Sequence, residues 1–168
     1  MPSAAEVWVI DTSSITEIRR SLPKAHQRTV YASLKKLVSG RHLVFPVEVQ
    51  KELERASNPK SPHEDLPLGW VKLVAGDAVS NPSLDTVKEV LARVPEVLDP
   101  DKPRGAEEAD PYILALAVEL KREGRDVTII TQEKTDKPGK LSLSSAAGIL
   151  KIPAVTVLPF LKSQGLLP

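Results

Sequence analysis

The sequence predicts an α/β fold, a three-layer α/β/α sandwich around a central parallel sheet of about five strands. Short apolar runs such as Val7–Ile10 alternate along the chain with longer segments that have helical spacing. Strands that are apolar on both faces are typical of a parallel sheet covered by helices on each side. The 168 residues are enough for one buried core, and we expect residues 1–168 to form a single domain.

The first part of the chain contains two predicted strands and two predicted helices. Val7–Ile10 is the first strand. The next segment has helical spacing, with Pro23 near its start and Gly40 just past its end. His42–Pro46 is the second strand, and the charged segment Val47–Ala56 is predicted to be a helix directly after it.

The middle of the chain is less regular. Ser57–Gly69 is rich in proline, serine and asparagine and is predicted to be a loop. Trp70–Val74 fits either a strand or the end of a helix. Ser83 is a capping residue at the start of a predicted helix, and the proline-containing segment Asp99–Ala109 is predicted to be a second loop.

The last third of the chain alternates most clearly. Asp110 as the cap, Pro111 in the first turn and Gly124 at the end delimit a predicted helix. After it we predict a buried strand, a loop, a short helix, a last strand and a closing helix, at residues 126–132, 133–140, 142–151, 153–157 and 158–165.

The composition excludes several classes of protein. Lys and Arg total 23 against 22 Asp and Glu, which argues against a generally basic nucleic-acid-binding surface but allows a local basic rim. The absence of cysteine excludes disulfides and cysteine-ligated zinc, and it fits a cytoplasmic setting. No apolar run approaches the roughly 20 residues of a membrane helix, and no signal peptide is recognisable.

Acidic residues recur where the predicted strands end. Asp11 ends the first strand, Glu48 and Glu52 lie four apart in the helix after the second, Asp110 begins the later helix, and Glu133 follows the strand at 126–132. Ligands of such folds bind at the carboxyl ends of the strands. Converging carboxylates repel one another, and a hard divalent cation such as Mg²⁺ or Mn²⁺ offsets that repulsion. The pattern therefore indicates a metal site.

Each acid also has an ordinary interpretation when it is taken alone. Asp11 and Asp110 could be helix caps, since aspartate is favoured there. Glu48 and Glu52 fit the solvated face of a charged helix, and Glu133 fits a charged loop. The metal site is therefore argued from the placement of the acids together.

Four segments, in chain order, resemble the motifs of the PIN domain family, metal-dependent ribonucleases found in many toxin–antitoxin toxins. "VIDTSSI" resembles the first motif, with Asp11 as the acid and Ser13 as its accompanying hydroxyl. "FPVEVQKELER" resembles the second, in which the acid precedes leucine, and this favours Glu52 over Glu48. "ADPYILALAVEL" resembles the third, with Asp110 as the match.

The fourth segment, "TIITQEK", departs from the usual pattern. The family's motif is commonly Thr-x-Asp after a buried strand, and here Thr131 is followed by Glu133. The C-terminal segment "KLSLSSAAGILKIPAVTVLPFL" resembles a PIN subgroup without assigned activity, in which a Glu-Lys pair at this motif is usual. Glu133–Lys134 would then be a feature of the subgroup.

The resemblance implies hydrolysis of RNA phosphodiester bonds with Mg²⁺ or Mn²⁺ as the cofactor. Asp11, Glu52 and Asp110 would hold one metal, and Glu133 would complete that site or help a second. Ser13 and Thr131 would then orient ligands or phosphate. No histidine is required, and the three histidines, His26, His42 and His63, lie in different predicted elements.

The resemblance also implies partners. The substrate would be RNA, whose backbone could be held by Lys134, Lys137 and Lys140, although a solvated basic loop is an equal alternative. The chain would be the toxin of a toxin–antitoxin pair, with an antitoxin helix in a groove near the acids. The C-terminal "LPFLKSQGLLP" could support a homodimer or pack on its own core. The alternatives are an RNA-processing nuclease of the same fold and a catalytically silent PIN-like module that binds RNA or protein.

Overall fold

The computed structural model describes residues 2–57, 65–102 and 108–168, and there the chain forms the predicted α/β fold, a parallel sheet flanked by helices. The sheet has the strand order β2-β1-β3-β4, and all neighbouring strands run parallel. The strands are β1 Glu6–Ile10, β2 Leu43–Val44, β3 Asp126–Ile130 and β4 Ala154–Val155.

Among the described residues, the predicted helices are present in the predicted order, together with two helices, Thr12–Ser21 and Leu66–Ala78, that were not predicted with these bounds. The segment between Pro23 and Gly40 is helical, and Val47–Ala56 has the predicted bounds. Ser83 caps its helix, because its hydroxyl accepts a hydrogen bond from the amide of Thr86. The helices are α1 Thr12–Ser21, α2 Lys24–Ser39, α3 Val47–Ala56, α4 Leu66–Ala78, α5 Leu84–Arg93, α6 Ala109–Arg122, α7 Leu143–Ile149 and α8 Val157–Ser163, with a 3-10 turn at Pro95–Val97.

The region before α5 differs from the sequence prediction. The sheet has four strands among the described residues where about five were predicted, because Trp70–Val74 belongs to α4. The loop predicted to end at Gly69 is wrong from Leu66 onward. Asp65 caps α4 by accepting a hydrogen bond from the amide of Leu68 at 3.1 Å, and the proline that suggested a loop lies in the first turn, where no amide hydrogen is needed. Residues 58–64, with His63, and 103–107 lie outside the described residues.

The start of α6 needs a second correction. Asp110 was predicted to be the helix cap, but Glu108 has that position and Asp110 is already in the first turn. Pro111 follows it within the same turn, which proline tolerates because the first amides of a helix have no intrahelical partner. The helix ends as predicted, with Gly124 just beyond the capping residue at a φ of 85°. The Asp110 side chain is therefore not needed for capping.

The pairing of the two central strands positions the functional edge of the sheet. β1 and β3 align over five residue pairs, from Glu6 opposite Asp126 to Ile10 opposite Ile130. The apolar residues of both strands are buried in one hydrophobic core. Because Ile10 and Ile130 are aligned, the residues that follow them, Asp11 and Thr131, emerge side by side at the carboxyl edge.

The C-terminal segment contributes to the same core. Phe160 and Leu161 of α8 are buried, and the Phe160 ring meets the ring of Trp8 edge to face at 5.1 Å between centroids. The C-terminal segment therefore packs on the core of its own chain, which is one of the two alternatives that the sequence left open for it. Within the described ranges, every helix is too short or too polar to cross a lipid bilayer.

Candidate active site

A cleft of about 480 Å³ opens at the carboxyl edge of the sheet, and five acids line it among the described residues. Four of them match the motifs, Asp11 after β1, Glu52 on α3, Asp110 on α6 and Glu133 after β3, and the fifth is Glu108 at the cap of α6. Glu48, one turn before Glu52, is buried and is not among the described residues that line the cleft. The structure thus brings together the four acids that the motif order selected, with Glu52 and not Glu48 facing the cleft.

Asp11 is held by four hydrogen bonds. Oδ1 accepts from the amide of Ser14 at 2.9 Å, so Asp11 is itself the cap of α1. Oδ2 accepts from the Thr131 hydroxyl at 2.6 Å, and the Ser13 hydroxyl lies 2.8 and 2.9 Å from the two oxygens. Because one serine proton is shared between two acceptors, the carboxylate keeps a lone pair for a further ligand.

The two hydroxyls beside Asp11 are fixed by the backbone that follows β3. Ser13 Oγ accepts a hydrogen bond from the amide of Gln132 at 3.1 Å, and Thr131 Oγ1 accepts one from the amide of Glu133 at 3.0 Å. Each oxygen is an acceptor from the backbone, so its own proton is directed at Asp11. Ser13 and Thr131, the predicted supporting residues, therefore set the orientation of the Asp11 carboxylate.

Burial without a matching positive charge perturbs Asp11. Its side chain is almost fully buried, and this burial raises the pKa of the carboxyl from 3.8 to about 6. The hydrogen bonds from Thr131, Ser14 and Ser13 act in the opposite direction, and the charge of Glu133 adds to the rise. In the protein without a metal ion, the ionised Asp11 is thus disfavoured at mildly acidic pH.

We therefore expect Asp11 to make the metal-free protein less stable as pH rises from about 4 to about 6.5. The folded state holds a proton at Asp11 with a pKa of about 6, and the unfolded chain at 3.8, so the folded state binds more protons in this window. Ionisation should cost about 3 kcal/mol of unfolding free energy. Urea unfolding of the parent and of Asp11→Asn in chelator measures it, and equal pH slopes for the two would contradict it.

Asp110 is the second acid of the cleft whose pKa is perturbed, and Glu133 is its acidic neighbour. Burial and the charge of Glu133 raise the pKa of Asp110 well above its usual range, although the Lys140 ammonium acts against the rise. Oε2 of Glu133 is buried and has no hydrogen-bond partner among the described residues. The cleft therefore holds more negative charge than its protein donors neutralise.

Lys140 forms an ion pair with Asp110. Its Nζ lies 3.3 Å from Asp110 Oδ2 and donates to the carbonyl of Leu141 at 3.2 Å. Burial lowers the pKa of Lys140, but the carboxylates of Asp110 and Glu133 outweigh burial and raise it. The ammonium is thus charged and occupies one side of the acidic cluster.

Other cleft residues were not identified from the sequence. Thr12 donates from its hydroxyl to Glu52 Oε1 at 2.6 Å and joins the start of α1 to α3. Glu108 accepts from the amide of Asp99 and pairs with Lys102 at 3.6 Å. Arg55, three residues after Glu52 on the same helix face, was recognisable from its spacing. Glu108 lay in a predicted loop, and no sequence signal distinguished it.

The donor set fits a hard divalent cation, but it is not arranged as a finished metal site. Within the described ranges, no three acidic or histidine side chains are placed together so that they could hold a metal ion. Protein donors contact two of the acids instead: Lys140 pairs with Asp110, and Thr12 donates to Glu52. Oxygen donors, surplus negative charge and the buried Glu133 Oε2 all favour Mg²⁺ or Mn²⁺. Binding would require Lys140 to move away from Asp110.

The comparison with curated proteins found no match to this chain. A family model described as a domain of unknown function, DUF4411, matches residues 8–167 and so spans the cleft and nearly the whole chain. The chain therefore belongs to the DUF4411 family.

Proposed function

We propose that this protein is a metal-dependent endoribonuclease that hydrolyses phosphodiester bonds of RNA. The observation that carries the proposal is the meeting of Asp11, Glu52, Asp110 and Glu133 in one cleft at the carboxyl edge of a parallel sheet. These acids come from four separate segments, and a shared cation explains why buried carboxylates should be collected there. The resemblance of the four segments to PIN motifs supports the same conclusion.

The family resemblance suggests the metal-binding roles, and the contacts suggest the supporting ones. Asp11, Glu52 and Asp110 would hold one Mg²⁺ or Mn²⁺, and Glu133 would complete that site or support a second. A bound cation would supply Lewis acidity toward a phosphoryl oxygen and lower the pKa of a bound water. Ser13 and Thr131 direct their protons at Asp11 and keep its carboxylate oriented. When no cation is bound, the negative charge of the ionised acids repels a phosphate group from the floor of the cleft.

The test compares two glutamates one helical turn apart on α3. Cleavage of single-stranded RNA in Mn²⁺ should fall at least about tenfold in Glu52→Gln, because ligand loss weakens metal binding and activity. Glu48→Gln should have the smaller effect, because Glu48 is not among the residues lining the cleft. The control is the parent in chelator, which should not cleave. Equal rates for both variants would contradict the assignment of Glu52.

A second candidate is a catalytically silent PIN-like module that binds RNA or protein. The specific observation in its favour is the ion pair of Lys140 with Asp110, which partly neutralises the acids without a metal. Calorimetric titration with Mn²⁺ separates the two candidates. The nuclease proposal requires binding that is weakened by Glu52→Gln, and a chain that takes up no Mn²⁺ would be the silent module.

On the resemblance alone, we propose that the nuclease is the toxin of a toxin–antitoxin pair and acts in the cytoplasm. An RNA-processing nuclease of the same fold is the alternative, since the same cleft chemistry suits any RNA. A neighbouring antitoxin gene would favour the toxin. A homodimer is a further possibility that the family resemblance raises.

We propose that such an antitoxin would bind away from the acids, in a groove other than the one expected from the resemblance. Of the exposed large apolar side chains in the described residues, none lines the acidic cleft. A groove of about 790 Å³ between α2 and α4 contains Trp70 and the exposed Leu73, with Arg28, Lys35 and Lys72 at its rim. An amphipathic helix with acidic flanks would complement both the apolar floor and the basic rim.

A further inference from the structure

A second cleft, of about 430 Å³, lies directly beside the acidic one and has the opposite charge. Its described lining includes four lysines and two acids: Lys102, Lys134, Lys137, Lys140, Asp99 and Glu133. Three of these residues, Lys102, Glu133 and Lys140, also line the acidic cleft, so the two clefts are adjacent and share these side chains. We refer to this second cleft as the lysine cleft. The whole chain carries a net charge of only +1, so this positive charge is local.

Lys134, Lys137 and Lys140 lie on one loop, and hydrogen bonds hold the backbone of this loop in place. The backbones of Lys137 and Lys140 exchange two hydrogen bonds of 2.9 Å and close a tight turn. Gly139 has a φ of 76° in this turn, a conformation that favours glycine. Asp136 Oδ1 accepts from the amide of Ser142 at 2.8 Å and attaches the turn to the start of α7. The lysines are therefore presented from a defined backbone.

The lysines differ in whether their ammonium groups already form ion pairs. Lys140 pairs with Asp110, and Lys102 pairs with Glu108. Lys134 and Lys137 are exposed, and neither forms an ion pair with another described residue. Two ammonium groups are thus available beside a recess whose floor is acidic. Anions are repelled from that floor and attracted to the adjacent wall.

The ligand that fits this pair of clefts is a chain of phosphates, and a single phosphate would not use both. A strand with one phosphodiester in the acidic cleft would place its neighbouring phosphodiester against Lys134 and Lys137. Aromatic rings are absent from the described lining of the lysine cleft, so it offers no surface on which bases stack. Lysine contacts to phosphate position a strand without reading its sequence. Because Asp11 and Asp110 lie at a buried floor, a flexible single strand reaches them more readily than a duplex.

We propose that the lysine cleft binds the phosphodiester of a single-stranded nucleic acid next to the one that enters the acidic cleft. The proposal rests on the proposed nuclease function and adds to it the strand form of the substrate and the route of its backbone. Lys134 and Lys137 contact this phosphodiester. Lys102 and Lys140 lie where the two clefts meet.

Binding, measured apart from cleavage, tests the proposal separately from catalysis. The probe is a fluorescein-labelled oligouridylate, titrated by anisotropy over a series of salt concentrations in Ca²⁺, a hard cation that offsets the acids which otherwise repel phosphate. The double variant Lys134→Gln/Lys137→Gln should bind at least roughly tenfold more weakly than the parent. Its slope of log affinity against log salt should be shallower by about 1.4, because two single-strand phosphate contacts are lost at about 0.7 each. Lys88→Gln, an exposed lysine on α5 outside both clefts, is the matched control and should leave both values unchanged.

The outcomes separate this proposal from the nuclease proposal. An unchanged affinity and slope in the double variant would overturn the lysine cleft, even if the parent cleaves RNA in Mn²⁺. Lysine-dependent binding by a parent that never cleaves would support the cleft and overturn the nuclease. An oligothymidylate should show the same lysine dependence, since only phosphates are contacted. Equal binding of double-stranded RNA would overturn the single-strand assignment.

Discussion

Replacing Asp11 by asparagine is expected to lower Mn²⁺-dependent cleavage of RNA by at least about 10³-fold. Metal-ion catalysis is worth several kcal/mol of transition-state stabilisation, and about 4 kcal/mol corresponds to that factor. The Asp11 carboxylate is held in one orientation, because two hydroxyls and one backbone amide donate hydrogen bonds to its two oxygens. An amide there removes the negative charge and one of the two oxygens.

The fold should survive this change. Asparagine is as good a helix cap as aspartate, and its oxygen can still accept from the amide of Ser14. Since burial opposes ionisation of Asp11, the neutral variant should be at least as stable as the metal-free parent at neutral pH. Asp77→Asn, which changes an exposed acid on α4 away from the acidic cleft, is the matched control. Retained activity in a folded Asp11→Asn protein would show that the cleft is not the catalytic centre.

The position of the acids could be predicted because it depends on strand ends. Short buried runs mark β1 and β3, and parallel pairing places the residues after them at one edge. The choice of Glu52 over Glu48 came from the motif in which an acid precedes leucine, and the same glutamate lines the cleft in the structure. Both inferences depend on short sequence patterns, which can be recognised without knowing the tertiary structure.

Two features could not be predicted because they depend on tertiary packing. Short apolar runs such as Trp70–Val74 fit a strand as well as a helix, and this run is part of α4, where Trp70 packs on Tyr31 of α2. The ion pair of Lys140 with Asp110 joins residues 30 positions apart. Whether a lysine side chain points into the cleft or into solvent depends on the turn around Gly139, and composition cannot show that.

This ion pair leads to the second large expected effect. Changing Lys140 to methionine should destabilise the metal-free protein by about 1–3 kcal/mol and should also tighten Mn²⁺ binding by roughly tenfold or more. The first effect arises because Asp110 and Glu133 lose the ammonium that faces them. The second arises because a metal ion entering the parent must displace that ammonium, and in the variant it need not.

The two effects have opposite signs, so one pair of measurements distinguishes them from a general loss of structure. Thermal unfolding in chelator should show a lower Tm for Lys140→Met than for the parent, and saturating Mn²⁺ should raise the Tm of the variant by more. Calorimetry should show the tighter binding directly. Lys137→Met is the matched control, because it removes a positive charge from the same turn but forms no ion pair with Asp110. If Lys140→Met bound Mn²⁺ no more tightly than this control, Lys140 would not compete with the metal ion for Asp110.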